Sequence, residues 1–344
     1  MILCCVIITV SKAFMQAFID WTYSYIALVD EHVAIDGKAV RAAAEKIEGK
    51  CAPYIVNSFI CNQKLVLGQL LIDRKTNEIT GIPQLIELLD LKGCTITIDA
   101  IGCQKKICDL LHEKKAYFVL PVKENQRLMH EAIEVFVRDA YEEWLKEEEQ
   151  IKQHALKGYR SKGDKLHLPY HDRMDVYHEI DPKAAHGRAP GDRLYIVIND
   201  TSMIDKKEWR HVKAVSYTIR KRTEIKRENG LDVSETTVEE NTWILSRKMT
   251  AKEFGKVVRG HWAIENNLHG ETDSAFREDW STARKDNAIE NLAQMRKICY
   301  NLMTLDPAVQ GMSKKKMFNY YRHNTDSIIR FIFCEIPKAE RTSS

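Results

Sequence analysis

The chain has 344 residues, 44% of them hydrophobic and 29% charged, with a formal net charge of +3. That length allows two or so domains and a sizeable core, and the mixture excludes disordered and fibrous classes. The near-neutral total hides an asymmetry. Residues 1–150 carry 17 Lys and Arg against 22 Asp and Glu, whereas residues 151–344 carry 35 against 27. A basic C-terminal half suggests an anionic partner, most simply nucleic acid, or an excess spread over solvated surface.

Residues 1–10 are apolar but too short to span a bilayer, and they lack the basic start and small-residue cleavage site of a secretory signal. They read as a buried segment leading into a helix from Ala13 to Val29. A short buried strand, Val33 to Ile35, then ends on Asp36. Runs from Tyr54 to Ile60 and from Leu65 to Ile72 fit an antiparallel hairpin. Pro83 marks a helix start. The alternation T-I-T-I-D ends on a second aspartate, Asp99. Gly102 opens a helix through Leu111, Tyr117 to Val122 is a strand, and a charged helix runs from about Asn125 to Gln150.

The order resembles a ribonuclease-H-like α/β fold, a mixed sheet with flanking helices. Two of its strands end on acids, where open α/β sheets place functional groups. Residues 151–172 read as a polar loop. Residues 173–247 then read as a β-rich insertion with strands at 174–180, 194–198, 214–220, 223–227 and 242–245, and Asn229-Gly230 is a hairpin turn. The insertion is basic, with Lys206, Lys207, Arg210, Lys213, Arg220, Lys221, Arg222, Lys226 and Arg227. Nine cysteines form no C-x-x-C and no zinc spacing, and most sit in apolar runs, which is usage suited to a reducing cytoplasm.

Residues 257–279 read as an amphipathic helix, with Phe254, Val257, Val258, Trp262 and Leu268 at helical spacing. His261, Glu265 and His269 fall four residues apart on its polar side. That face is either solvated or the wall of an active site. A zinc face is the weaker alternative, because no further ligand lies nearby. Trp262 reads as core or as a platform beneath the acid. Three carboxylates from distant segments, Asp36, Asp99 and Glu265, suit Mg²⁺ or Mn²⁺ if the fold brings them together. Taken singly, a strand-terminal Asp more often caps a helix or fixes a turn.

Five segments carry a resemblance. A-I-D-G-K-A-V-R (34–41), G-Q-L-L-I-D-R-K-T-N-E-I-T-G-I-P (68–83), T-I-D-A-I-G-C-Q-K-K-I (97–107), V-L-P-V-K-E-N-Q (119–126) and R-G-H-W-A-I-E-N-N-L-H (259–269) resemble the ISAs-type insertion-sequence transposases. The H-repeat-associated proteins belong to the same group. The resemblance implies a DDE transposase with a ribonuclease-H-like core and a β-rich insertion before the last acid. It implies Asp36, Asp99 and Glu265 as catalytic, metal-holding acids with two Mg²⁺ or Mn²⁺. It further implies DNA transposition by cleavage and strand transfer, DNA as partner, a homo-oligomer on that DNA, a nucleoid-associated place in the bacterial cytoplasm, and neither membrane nor small-molecule substrate. Lys38, Lys105, Lys123, Arg259, His261, Lys221, Arg222, Lys226 and Arg227 are candidate DNA contacts, or ordinary surface charges.

The expected organisation is a remnant of an N-terminal helical segment (1–30), the first part of the catalytic core (31–150), the basic insertion (151–250), the helical remainder of the core with Glu265 (251–305) and a helical tail (306–344). The family commonly has Trp-x-Leu-Asp where this chain has Gly270-Glu271-Thr272-Asp273, and an acidic residue after His186-Gly187-Arg188 where this chain has Ala189-Pro190. A longer helical segment also precedes the first aspartate in the family. These departures leave open a copy that binds DNA without cutting it, or a nuclease without strand transfer.

Overall fold

β-Branched and apolar alternation builds the strands that position the site. The computed structural model describes residues 11–26, 28–40, 52–72, 78–156, 167–181, 191–228, 231–283 and 287–332. The apolar opening run and the His186-Gly187-Arg188 motif lie outside the described residues. The chain divides into two compact units, the first Met1–Gly102, Leu110–Ala116 and Arg259–Ser344, the second Cys103–Asp109 and Tyr117–Val258.

The first unit holds strands β1 (His32–Ala39), β2 (Tyr54–Ile60), β3 (Leu65–Ile72) and β4 (Thr95–Ile98), in the order β3-β2-β1-β4. β1, β2 and β3 pair antiparallel, and β4 pairs parallel to β1. This is the mixed sheet of a ribonuclease-H-like fold. β1 is solvent-free at Val33, Ala34 and Ile35. It runs on through Asp36 to Ala39 instead of ending at the aspartate, because β2 continues to pair with it there. Its ladder with β4, in contrast, stops at Ile35 opposite Ile98.

Helices cover this sheet. α1 (Ser11–Tyr25) buries Met15, Phe18 and Ile19, and ends four residues earlier than the sequence suggests. α2 (Glu78–Leu88) begins five residues before Pro83, so the proline lies inside the helix. It packs close to the sheet: a Cβ on Gly81 would lie 2.5 Å from Ile72 Cδ1. The last long helix of this unit runs Ala288–Leu305. Its Asn301 pairs with the edge strand as another strand would, accepting from Val66 N at 2.8 Å and donating to Val66 O at 2.7 Å. That satisfies an edge otherwise left open.

The second unit holds β5 (Tyr117–Val122), β6 (Met174–Asp181), β7 (Gly191–Ile198), β8 (Ala214–Glu228) and β9 (Leu231–Leu245), in the order β5-β9-β8-β7-β6. All these pairings are antiparallel. Tyr195, Trp243 and Phe254 meet edge-on in its core, at 6.2 and 5.7 Å. A 30-residue helix, Arg127–Leu156, belongs to this unit. β8 is one strand of 15 residues where alternation suggests two, and β9 extends back to Leu231, well before Thr242. The polar run Glu235–Asn241 hides the strand because those positions face solvent along an exposed ribbon. Among the described residues no helix is long and apolar enough to cross a membrane.

Gly81→Val should destabilise the protein by about 1–3 kcal/mol, the usual cost of overpacking. Urea unfolding measures it. Ile72→Val in the same chain, which removes Cδ1, should return part of the loss; no recovery would place the strain elsewhere.

Candidate active site

The parting of β1 from β4 makes the crevice. Ile35 and Ile98 are the last parallel partners, so the next residues, Asp36 and Asp99, stand at neighbouring register positions. Asp36 is partly buried, with a side chain 18% exposed. Asp99 is exposed, and its Oδ1 accepts the Ile101 N–H at 3.1 Å while its carbonyl accepts from Gly102. A short 3₁₀ turn, Ala100–Gly102, thus fixes the chain as it leaves β4.

Opposite these strand ends lies the segment from Arg259 to Ser274. It continues the α-helix Ala251–Ala263 through a π-helical turn over Ile264–His269 into a short α-helix over Gly270–Ser274. The Gly270 N–H bonds Glu265 O, the i→i+5 pattern of a π turn. Such turns occur often at functional sites. Glu265 sits inside it with an exposed side chain.

Two histidines anchor the segment to the strands. His261 Nδ1 lies 2.9 Å from Thr97 Oγ1, and His32 Nε2 lies 2.8 Å from the same oxygen. One hydroxyl has one proton, so it donates to one ring and accepts from the other. The helix backbone sits directly on His32: a Cβ on Gly260 would meet His32 Nδ1 at 2.6 Å. Burial holds His32 down at about 3 and His261 at about 4, so both are neutral near pH 7. His269 Nδ1 lies 3.5 Å from Asp36 Oδ2. Burial first, then Lys297 and Lys38, hold His269 at about 3.

A second anchor is ionic. Lys38, two residues beyond Asp36 on β1, meets Asp273, Glu278 (3.2 Å) and Asp279 (3.8 Å). Glu278 is 1% exposed and also pairs with Lys297, itself 1% exposed. Burial opposes the Glu278 anion, but Lys297 and Lys38 outweigh it and hold the carboxyl at about 2. Removing one partner of such a pair costs roughly 3–5 kcal/mol.

The expected DNA contacts fall into groups. Lys38 is 10% exposed and engaged by three carboxylates, so it is placed as a buried counter-ion and not as a phosphate contact. His261 is half-buried, neutral and bonded to Thr97, so it brings no positive charge to a phosphate. Arg259 and Lys123 are exposed, and Lys105 pairs with Glu208. Lys221 is exposed and Arg222 half-buried; they stand in register with Val238 and Thr237 of β9. The side chains of Lys226 and Arg227 lie outside the described residues. Acids on β9 dilute this ribbon, as Arg220 lies 3.9 Å from Glu239.

Trp262 is 47% exposed, which rules out a core role. Of the two rings of the zinc-face alternative, His261 bonds Thr97 and His269 Nδ1 lies 3.5 Å from Asp36. Thr97, His32, Glu278 and Lys297 were not singled out from the sequence. Lys297 had a signal: it shares the buried face of its helix with Ala293 and Tyr300.

Asp36 and Asp99 supply the oxygen donors that a hard divalent cation prefers. Among the described residues no group of three His, Cys, Asp or Glu side chains is placed to hold a metal ion. The carboxylate pair therefore fits part of such a site, and Glu265 is not gathered into it.

The profile of the transposase DDE domain family matches residues 28–302. YncI of Escherichia coli O157:H7, a protein named as a transposase, is 35% identical over 311 residues, covering 89% of this chain and 70% of that one. YhhI of Escherichia coli K12, named as an H repeat-associated transposase, is 30% identical over 88% of this chain and 72% of its own. A piggyBac transposase synaptic complex with hairpin DNA is 14% identical, with a TM-score of 0.39, over 90% of this chain and 55% of that chain.

A fold that keeps His32 and His261 neutral is at full stability above pH 6.5, where the unfolded histidines are also neutral. It loses stability as pH falls toward 4, because only the unfolded state then takes up the protons. The slope should reach about 1.4 kcal/mol per pH unit for the one proton that His32 takes up only when unfolded. Urea unfolding from pH 7 to pH 4.5 should show a shallower slope for His32→Gln, whatever that variant costs at pH 7. Equal slopes would mean that His32 is not the group responsible.

Proposed function

The chain belongs to the transposase DDE domain family, and from that membership we propose that it cuts DNA at the ends of an insertion sequence and joins them to target DNA. Asp36, Asp99 and Glu265 are its proposed acids. One observation carries the reading: inside the matched region, two aspartates stand in neighbouring register where parallel strands part. In this scheme the three acids hold two Mg²⁺ or Mn²⁺. Such ions, when bound, activate an attacking oxygen and stabilise a leaving one in phosphoryl transfer.

The chain's own residues do the positioning. Pairing with β2 holds the backbone of Asp36, and the short turn after β4 holds that of Asp99. His269 stands against Asp36, and the His261–Thr97 bond ties the helix to the strand that leads into Asp99. Glu265 lies between these two histidines in sequence, with an exposed side chain. The basic positions of β8, with Arg259, Lys105 and Lys123, are the proposed contacts to the DNA backbone. A homo-oligomer on DNA within the bacterial cytoplasm completes the reading.

A second reading is a DNA-binding relative that does not cut. It is favoured by Gly270-Glu271-Thr272-Asp273, which stand where the family commonly has Trp-x-Leu-Asp. Purified protein with DNA ends and Mg²⁺ separates the readings. Joined products indicate transposition, cut products alone a nuclease, and shifted but intact DNA a binding protein.

Asp36→Asn, Asp99→Asn and Glu265→Gln should each lower cleavage by orders of magnitude while leaving the unfolding midpoint nearly unchanged, because each removes a charge and keeps the shape. Asp99→Asn cutting at the wild-type rate would remove that residue from the site. Binding should weaken with salt by roughly 0.9 log units of affinity per log unit of salt for each phosphate neutralised. Replacing Lys221, Arg222, Lys226 and Arg227 together by neutral residues should flatten that slope. An unchanged slope would return these charges to ordinary solvated surface.

A further inference from the structure

Ion pairs with both partners about 1% exposed are costly to build. Replacing them by packed apolar side chains is often neutral or stabilising. Glu278 and Lys297 nevertheless form such a pair, and Lys38 extends it to β1. The network is specific in what it joins. Lys38 lies two residues beyond Asp36 on the same strand. Asp273 lies four residues beyond the π turn that carries Glu265, and Glu278 and Asp279 follow in the next 3₁₀ turn. Lys297 comes from the helix that also holds the edge of the sheet through Asn301.

Three elements therefore meet at two ammonium groups: the strand of Asp36, the segment leaving Glu265, and a helix fixed to the sheet. Apolar packing tolerates sliding, whereas a carboxylate shared between two lysines has a narrow set of satisfactory positions. Thr272, with a fully buried hydroxyl 3.4 Å from Lys38 Nζ, closes the same contact from the segment side.

We infer that Lys38, Glu278 and Lys297 are positioning residues, which set the 264–273 segment at a fixed place against Asp36. The inference deepens the proposed function and rests on it for the meaning of Glu265. Its physical core, that the ion network holds the segment, stands separately. The three residues touch neither substrate nor reacting atoms in this scheme.

The test is the double replacement Glu278→Leu with Lys297→Met, made in the full chain. It removes the buried pair without stranding either charge. Global unfolding in urea should be unchanged or shifted to higher denaturant. Backbone amide exchange over residues 264–273 should speed up by about tenfold or more as local opening becomes easier. DNA affinity should stay within about twofold, while single-turnover cleavage with Mg²⁺ falls on the order of a hundredfold, the scale of a displacement of about 1 Å at a reacting centre. Glu278→Asp keeps the charge and shortens the arm by one methylene. It should show both effects in smaller measure, and it serves if the double variant folds poorly.

Unchanged exchange over 264–273 in a folded variant would overturn the inference, whatever the cleavage assay gives. So would cleavage within about threefold of wild type from a variant whose exchange has risen. Wild-type protein that binds DNA without cutting it would instead sink the proposed function, and the exchange result would still decide the role of the network.

Discussion

β1 serves two neighbours that want different things from it. β2 pairs with it along seven positions to Ala39, while β4 leaves after Ile98. Everything proposed for the site depends on that divergence. Up to Ile35 the strand is sealed on both sides. From Asp36 onward one side is open, and the residues that follow, Asp36 and Lys38, project polar groups where β4 no longer competes for space. A single ladder ending thus turns a core strand into the wall of a crevice, and it does so in backbone geometry.

What closes over that wall buries Ile264 and Leu268 and is held by polar contacts as well. His32, Thr97 and His261 share one hydroxyl; Lys38, Glu278 and Lys297 share one carboxylate. Each arrangement is expensive when incomplete, since a buried group without its partner keeps its full desolvation penalty. That asymmetry makes the contacts good locators. The segment can stray only by breaking bonds that water does not replace, whereas an apolar interface would offer several packings of similar energy. The pull of two lysines on Glu278 and the neutrality of the histidines are two faces of this burial.

The strands of the first unit were legible because burial leaves a plain record. Val33 to Ile35, Tyr54 to Ile60 and Leu65 to Ile72 are apolar runs of strand length, and the T-I-T-I-D alternation led to Asp99 directly. The ribbon of β8 and β9 was less legible. Apart from Val238, residues 235–241 are polar on both faces, so no period of two announces a strand. Pro83 misled for another reason: Gly81 lets the helix approach Ile72, and that tertiary contact places helical turns before the proline. The partners of Lys38 were out of reach, since Asp273, Glu278 and Asp279 lie some 235 residues away in sequence. Lys297 looked like one more charge on a helix, and only its neighbours Ala293 and Tyr300 marked the face as buried.

The π turn is the feature that pattern reading inverted. A uniform α-helix advances about 100° per residue, so His261 and His269, eight residues apart, would diverge by about 80°. Both nevertheless reach the same pair of strands, one at Thr97 and the other at Asp36. Absorbing one extra residue in the Ile264–His269 turn removes about one step and brings them to within about 20°. The turn therefore does what a regular helix with the same residues cannot: it lets both histidines dock at once. Glu265 lies inside that turn, between the two docked positions, and takes its place from them. In the proposed reading the irregularity is the means by which a side chain that forms no part of the core is presented at a fixed height above the strand ends.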